Sequence, residues 1–178
     1  RVMGLKTTLA SLALGGALWI ASGAAGFAAK DTAAGTASGL PVPRYVSLKS
    51  DHVNVRAGPT KDHDVAWVYT RAGLPVEITA EFENWRRVRD SEGAEGWVYH
   101  SLLSGKRTAV VTMKNKGELA PIYDRADPAS AVAAKLQAGV VAQVRRCHEG
   151  WCRITGNGFD GWIEQQRLWG VYADEKVN

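Results

Sequence analysis

A tryptophan-led hairpin motif occurs twice in this 178-residue chain, and this internal repeat constrains the fold more than any other feature. Each copy has a tryptophan-led strand, a glycine-containing turn, a Gly-Trp strand and a short segment that ends in leucine. Such self-similarity indicates that one structural unit is repeated along the chain. The matched landmarks are Gly73 with Gly139, Trp85 with Trp151, and Gly96-Trp97 with Gly161-Trp162.

Short alternating or β-branched segments follow one another from residue 45 onward, separated by glycine, proline and asparagine turns. Helical periodicity is nearly absent, and this pattern is typical of a small β-barrel or sandwich. The Asn157-Gly158 pair also indicates a hairpin. We therefore predict an all-β chain with two tandem units, at residues 45–112 and 113–174. A single core is marginal in units of this size, so we expect the two units to pack against each other.

The same pattern predicts a core and the closing strand of the first sheet. Residues 106–112 are expected to close that sheet, and residues 129–136 are expected to form a loop followed by a strand. The predicted core residues are Val65, Val76, Ile78, Val88 and Val98 in the first unit, and Val132, Val141, Val144, Ile154 and Ile163 in the second.

Residues 1–28 have the order of a secretory signal peptide. Basic residues precede an apolar segment at residues 9–20, and small residues follow up to Ala28. This order predicts a periplasmic or secreted protein, with no stable membrane insertion after cleavage. An uncleaved anchor is the alternative, since residues 7–29 are uncharged and long enough to span a bilayer. Residues 29–44 have the Ala/Gly/Ser/Thr/Pro composition of a linker.

The charge pattern argues against a nucleic-acid partner. The formal net charge is +4, but the basic residues form only short clusters, at residues 86–89 and 145–146. Clusters of this kind are typical of solvated strand faces. Nucleic-acid binding modules carry a dense basic stripe instead, so we predict no nucleic-acid ligand.

The two cysteines of the chain, Cys147 and Cys152, flank the four-residue loop of a predicted hairpin. Residues that flank such a loop lie opposite each other on adjacent strands, and in an exported protein this placement predicts a disulfide. The alternative is a nucleophile pair formed by Cys147 and His148. Neighbouring residues of a strand point to opposite faces, so this pair has poor geometry for base catalysis.

No spacing in the sequence matches a metal or catalytic motif. The four histidines are scattered, without the spacing of known metal motifs. Asp62-His63-Asp64 could contact a metal ion, but a solvated loop is the simpler interpretation because the ligand spacing is missing. A glycine-rich phosphate loop and a Gly-x-Ser-x-Gly motif are also missing. We predict no enzymatic activity, no metal and no cofactor.

A family resemblance rests on motifs of the first unit, in order Val53-Asn54-Val55-Arg56-Ala57-Gly58-Pro59, Gly73, Asn84-Trp85 and Gly96-Trp97-Val98. Over residues 46–112 the chain resembles the bacterial SH3 domain family, the SH3b-type modules of secreted and cell-envelope proteins. The second unit is similar to the same family but divergent. It keeps Gly139, Trp151 and Gly161-Trp162, and it has Ala120-Pro121-Ile122-Tyr123-Asp124 where the first unit has its Asn and Arg.

This resemblance implies two tandem SH3-like small barrels and, as in many family members, binding to peptidoglycan or its peptides. The expected function is therefore that of a non-catalytic exported binding protein whose partner is a cell-wall peptide or glycan. The alternative is a periplasmic protein–protein interaction or structural module. A cell-wall hydrolase is a third hypothesis, which the missing catalytic motifs disfavour.

Three aromatic residues and one arginine are the candidate ligand contacts. Trp85, Tyr99 and Tyr69, together with Trp151 and Tyr123 of the second unit, are expected to border a surface groove, because an aromatic face with a polar tip suits a peptide or sugar ligand. Core or interface packing is the alternative for each ring. Arg56, at the base of the first loop (residues 57–64), could pair with a carboxylate in the protein or on a peptide stem. We expect the second unit to contribute less, because its first loop differs.

Overall fold

The computed structural model describes the backbone of residues 33–34 and all of residues 37–178. The predicted signal peptide at residues 1–28 lies outside the described residues. The described part has sixteen short strands, two short 3₁₀ turns and no α-helix, which confirms the predicted all-β class. No helical segment in it combines the length and the apolar character needed to cross a bilayer.

Most strands belong to one of two sheets, and they are numbered β1 to β16 along the chain. A separate small hairpin contains β1 (Ala33–Ala34) and β2 (Pro41–Val42). The first sheet contains β3 (Arg44–Leu48), β4 (Val53–Arg56), β5 (Val65–Tyr69), β6 (Pro75–Phe82), β7 (Trp85–Arg89), β8 (Glu95–Tyr99) and β9 (Leu103–Ser104). The second sheet contains β10 (Thr108–Val111), β11 (Ala120–Tyr123), β12 (Val132–Leu136), β13 (Val141–His148), β14 (Trp151–Gly156), β15 (Phe159–Glu164) and β16 (Leu168–Trp169). The 3₁₀ turns span His100–Leu102 and Gln165–Arg167.

The two sheets have the same topology. Their strand orders are β5-β4-β8-β7-β6-β3-β9 and β12-β11-β15-β14-β13-β10-β16, so β3 corresponds to β10 and each later strand has its counterpart. Even the irregularities match, because register shifts follow Val55 in β4 and Ile122 in β11. Another pair of shifts follows Ile78 in β6 and Val144 in β13. The sequence repeat is therefore a repeat of the whole fold, as predicted.

The strand predicted to close the first sheet belongs to the second sheet. Strand β10 pairs with β13 and β16, whereas β9 completes the first sheet by pairing with β3. The prediction for residues 106–112 is wrong because a β-branched segment identifies a strand but not its partner. The chain passes from the first sheet to the second between Ser104 and Thr108. The predicted unit boundaries, at residues 45–112 and 113–174, remain a proposal.

Each sheet has its own apolar core. The first contains Leu48, Val53, Val55, Val76, Ile78, Val88 and Val98. The second contains Ala109, Val111, Ala120, Ile122, Leu136, Ala142, Val144, Cys147, Cys152, Ile154, Ile163, Leu168 and Val171.

Two predicted core residues are exposed and one is only half-buried. Val65 is 41% exposed and Val132 is 49% exposed, and Val141 is half-buried. Val65 and Val132 each begin the edge strand that lies across from a register shift. A one-residue shift turns a side chain to the opposite face of the sheet. The alternation in the sequence therefore predicted the wrong face for these two valines.

Part of the predicted linker is ordered against the first sheet. Glu81 accepts hydrogen bonds from the N–H groups of Ala37 and Ser38, at 3.1 and 2.8 Å, and from the Ser38 hydroxyl at 2.6 Å. The side chain of Glu81 is fully buried, and Arg44 and Arg86 approach it at 2.8 and 3.2 Å. Burial raises the pKa of this carboxyl, but the Ser38 and Arg44 hydrogen bonds and the Arg86 charge outweigh burial and lower it to about 2.

A buried cluster centred on Glu77 joins the two sheets. Glu77 is 2% exposed, and its carboxylate accepts hydrogen bonds from the Arg89 guanidinium and, at 2.8 Å, from the Tyr172 hydroxyl. The Tyr45 ring packs on Trp169 and Tyr172, with ring centroids 5.1 and 4.6 Å apart. Burial, followed by the charge of Glu77, raises the pKa of Tyr45 to about 12. The two units therefore pack on each other, as predicted.

Gly170 follows β16 and lies close to both β10 of its own sheet and Pro75 of the first sheet. Its φ is +123°, and a Cβ atom there would lie 2.5 Å from the Thr108 carbonyl oxygen and 3.1 Å from Pro75. Its counterpart in the first sheet, Gly105, has open space around the same position. A side chain is therefore excluded at Gly170 and has room at Gly105.

Candidate functional site

Strand pairing brings three of the predicted ligand contacts to one end of the first sheet. Strand β4 meets β8 at Arg56 and Trp97, and the register of β7 and β8 sets Trp85 opposite Tyr99. Between them lies a depression of about 160 Å³, which we call the first groove. It is lined by Asn54, Arg56, Lys61, Trp85, Tyr99 and Leu102.

The aromatic wall of the first groove is a packed pair of rings. Trp85 and Tyr99 meet edge to face, with centroids 5.4 Å apart and planes at 81°, which is a favoured aromatic geometry. Trp85 is only 8% exposed, so most of this indole packs inside the protein and one edge reaches the groove. Tyr99 is half-buried and offers the larger surface.

Arg56 braces the first loop. Its Nη1 donates to the carbonyl oxygen of His63 at 2.6 Å, so its internal partner is a carbonyl group and not the carboxylate considered from the sequence. The His63 ring packs tightly on the loop backbone, because a Cβ atom on Gly58 would lie 2.3 Å from it. A guanidinium has five N–H donors, so Arg56 retains donors for a ligand while it holds the loop.

Two residues differ from the predicted site. Tyr69 lies outside the lining of the first groove: its hydroxyl donates to Asp90 at 2.9 Å, and its ring packs on Trp67. Burial, followed by the Asp90 hydrogen bond, raises the pKa of Tyr69. Lys61 lines the groove but was not predicted. An isolated loop lysine is usually solvated, so the sequence carried no signal for it.

The corresponding place in the second sheet has different chemistry. By strand register, Tyr123 occupies the position of Arg56, and Glu164 occupies that of Tyr99. Trp151, the counterpart of Trp85, packs edge to face on Tyr123 with centroids 5.8 Å apart. In the second unit, the aromatic ring of Tyr123 therefore replaces the cation of Arg56, and the carboxylate of Glu164 replaces the ring of Tyr99.

A larger depression, of about 410 Å³, lies on the second sheet between Trp151 and the C-terminal segment, and we call it the tail pocket. It is lined by Gly150, Trp151, Glu164, Gln165, Gln166, Leu168, Val171, Ala173 and Asp174. Sequence reasoning missed this pocket, because three of its nine lining residues, Val171, Ala173 and Asp174, come after the repeat.

A further shallow depression, of about 310 Å³, lies on the other side of Trp151. Its lining residues are Ala126, Arg146, His148, Glu149, Trp151 and Trp162. His148 and Glu149 approach each other at 3.6 Å, and Glu149 is 81% exposed. Trp151 thus separates two depressions of the second sheet.

Cys147 and Cys152 form the predicted disulfide. They are register partners on β13 and β14, as expected for residues that flank a four-residue loop. Since no free cysteine remains, the alternative of a Cys147–His148 nucleophile pair is wrong. The backbone of Cys147 also exchanges two hydrogen bonds with Val177, at 2.9 and 3.2 Å, so the C-terminal segment pairs with the edge of the disulfide hairpin.

Among the described residues, no group of three or more His, Cys, Asp or Glu side chains is placed to hold a metal ion. The Asp62-His63-Asp64 segment, which the sequence offered as a possible contact, is part of the exposed first loop.

Each sheet, with its own core, its tryptophan-led hairpin and its short 3₁₀ turn, has the architecture of an SH3-like module. The chain belongs to the bacterial SH3 domain family, because the family model described as "Bacterial SH3 domain" matches residues 49–105 and 116–170. This match confirms the resemblance in both units, including the divergent second copy.

Two solved structures with detectable similarity are NlpC2 and NlpC1 from Trichomonas vaginalis, each 17% identical to this chain. The matches cover 71% and 75% of this chain and 48% of each of the other chains, with TM-scores of 0.32 and 0.31. The chain thus spans about half the length of these two proteins. Comparison with curated proteins gave no match.

Proposed function

We propose that this protein is an exported, non-catalytic binding protein that holds a cell-wall peptide in the first groove. The observation that carries the proposal is the combination of Arg56 and Lys61 with the Trp85–Tyr99 wall in one depression. Two cations beside aromatic rings suit a ligand with a carboxylate next to an apolar or ring-shaped portion. The peptide stems of the bacterial cell wall have this chemistry.

The disulfide supports an extracytoplasmic location. Structural disulfides persist in oxidising compartments such as the periplasm and the cell exterior, and they are rare in the cytosol. Cys147 and Cys152 are buried and bonded to each other. Together with membership of the bacterial SH3 family, this favours the cell envelope or the medium as the place where the ligand is met.

A sedimentation assay with purified sacculi tests the proposal. Tyr99→Ala removes the most accessible part of the aromatic wall, and Lys61→Gln removes an exposed cation, so neither change opens the core. We expect each to weaken sacculus binding about tenfold, corresponding to roughly 1.4 kcal/mol. Lys116→Gln, in an exposed connection of the second unit, is the matched control and should bind as the parent protein does.

Circular dichroism must show that the folds of these variants are intact. Equal binding by the parent, Tyr99→Ala and Lys61→Gln would place the ligand elsewhere, and no binding by the parent would end the proposal. Release of soluble fragments from sacculi by the purified protein would contradict the non-catalytic part.

A second candidate function is the capture of a periplasmic protein along a sheet edge. Strands β5 and β12 lie at the ends of their sheets, and each presents an exposed valine, Val65 or Val132. Exposed strand edges can accept an added strand from a partner. Cross-linking in the envelope separates the two candidates: a protein adduct lost on Val65→Lys, together with failure to bind sacculi, would favour this one.

A further inference from the structure

We propose that the tail pocket binds a primary ammonium group, such as the amine of a lysine-type side chain or of an amino sugar. The pocket lies on the second unit and shares no lining residue with the first groove. The inference therefore goes beyond the proposed peptide site and does not depend on it.

The tail pocket is built from the second unit and the segment that follows its last strand. Its inner wall is the tryptophan-led hairpin, and its outer wall is the C-terminal segment from Val171 to Asp174. That segment is held by the two backbone hydrogen bonds between Val177 and Cys147. In the first unit the chain passes at the same point from β9 into β10 of the next sheet, so no tail is available to form a second wall.

Negative charge dominates the rim of the pocket. Its lining contains two carboxylates, Glu164 and Asp174, and no basic side chain. Arg167, outside the lining, contacts Glu164 at 3.1 Å and also Glu118 at 2.9 Å, so Glu164 shares this cation with a second carboxylate. Asp174 is exposed on the opposite rim and makes no ion pair within the described residues. The rim therefore attracts a cation and repels a carboxylate or phosphate.

The wall and floor of the pocket supply two further elements of an ammonium site. The Trp151 indole borders the pocket, and an indole is the best side chain for cation–π attraction. Gln165 is 6% exposed, and its amide nitrogen donates to the carbonyls of Tyr172 and Glu175 at 2.7 and 3.1 Å. Its Oε1 is buried and has no hydrogen-bond partner among the described residues.

An unpaired buried acceptor is unfavourable, and a donor entering the site removes that cost. An ammonium group has three N–H donors and no acceptor, so it matches a site with two rim carboxylates, an aromatic wall and a free amide oxygen. At about 410 Å³ the pocket has room for the ammonium group and the chain that carries it.

The experiment is an NMR titration of the full purified protein, which follows the indole N–H resonance of Trp151. Trp151→Phe assigns that resonance. The probes are Nα-acetyl-lysine methylamide, its Nε-acetylated form, and glucosamine with N-acetylglucosamine. We expect saturable shifts with a free amine and none with its acetylated form. The tighter of the two amines identifies the source as a side-chain amine or an amino sugar.

Charge-neutral variants complete the test. Glu164→Gln and Asp174→Asn should each weaken amine binding roughly three- to fivefold, as expected for exposed charge pairs of up to 1 kcal/mol. Glu149→Gln is the matched control: it removes the same charge beside Trp151, but outside the tail pocket. Acetylated probes that bind as well as the amines, no shift with any amine, or unchanged affinity in both rim variants would overturn the inference. Sacculus binding through the first groove is unaffected by any of these outcomes.

Discussion

The hairpins β6–β7 and β13–β14 have the same register, but different side-chain interactions link their two strands. Glu81 faces Arg86 in the first, and Cys147 faces Cys152 at the same position in the second. The turns also match, since Glu83 and Glu149 both have positive φ, at 46° and 50°. One unit therefore has a buried ion pair where the other has a covalent bond.

The buried ion pair and the disulfide are sensitive to different conditions. A buried ion pair needs both partners and the correct protonation state, because a lone buried charge is costly. A disulfide acts largely by restricting the unfolded chain, and it depends on redox conditions instead of pH. The Glu81 pair also holds the segment that precedes the first sheet, whereas the disulfide hairpin holds the segment that follows the second. Each hairpin thus anchors the segment that adjoins its own sheet.

The largest effect is expected from Glu81→Ala. It leaves Arg44 and Arg86 without their buried carboxylate and releases the Ser38 contacts, so the free energy of unfolding should fall by about 4 kcal/mol. Amide hydrogen exchange should accelerate in β6–β7 and not in β13–β14. Glu92→Ala, an exposed carboxylate of the next turn, is the control. Equal acceleration in both hairpins would show that the ion pair is not a local lock of the first unit.

Gly170→Ala should be the next most damaging change, costing about 3 kcal/mol through positive-φ strain and the clash with the Thr108 carbonyl. Gly105→Ala is the matched control and should be nearly neutral, because open space surrounds it. Urea unfolding of the two variants makes the comparison. Equal stability of both would mean that the Thr108 backbone, which belongs to the same sheet as Gly170, yields easily at this point.

The double change Cys147→Ser with Cys152→Ser should cost about 2 kcal/mol, as estimated for a short closed loop. The second sheet should remain folded, and hydrogen exchange should accelerate in β13–β14 and at Val177. Treatment of the parent protein with a reductant should reproduce the effect. Acceleration in β6–β7 of the first sheet instead would contradict the separate roles of the two hairpins.

Lowering the pH should produce the smallest of these changes in the free energy of unfolding. The lowered pKa of Glu81, about 2 against an ordinary value of 4.5, stabilises the fold fully above pH 4.5, and this stabilisation is lost as the pH falls towards 2. At pH 4 the loss is about 1 kcal/mol or less. The pKa of Glu175 is also lowered, because hydrogen bonds from Arg107 and the Tyr172 N–H group outweigh the effect of burial. The parent is therefore compared with Glu81→Gln, so that the contribution of Glu175 is the same in both proteins. Their difference in unfolding free energy should shrink between pH 7 and pH 3; a constant difference would refute the linkage.

The sequence was informative wherever the determining contacts are local. The tandem repeat, the all-β class and the Cys147–Cys152 pair follow from strand alternation and from residues that flank a short loop. Arg56, Trp85 and Tyr99 come together because the β7–β8 hairpin sets Trp85 opposite Tyr99 and β4 meets β8 at Arg56. The hairpin and the strand pairing both belong to the repeat.

Contacts between distant segments were not predictable. Tyr172 and Glu77 are 95 residues apart, and neither belongs to a periodic pattern that links them. The docking of Ser38 on Glu81 was hidden because a polar segment before the first strand has a linker's composition. The tail pocket was missed for a related reason: its outer wall lies beyond the repeat, and its anchor is a backbone pairing between Val177 and Cys147.

The sheets do not share or exchange any strand, and this has a consequence for the order of folding during synthesis. Every strand of the first sheet lies between Arg44 and Ser104, and every strand of the second follows it. The first module can thus complete its hydrogen bonding while the second is still being made, which suits folding of domains in order of translation. Glu77 must then wait for Tyr172, which is made 95 residues later, so the docking of the two modules is expected to follow the folding of each.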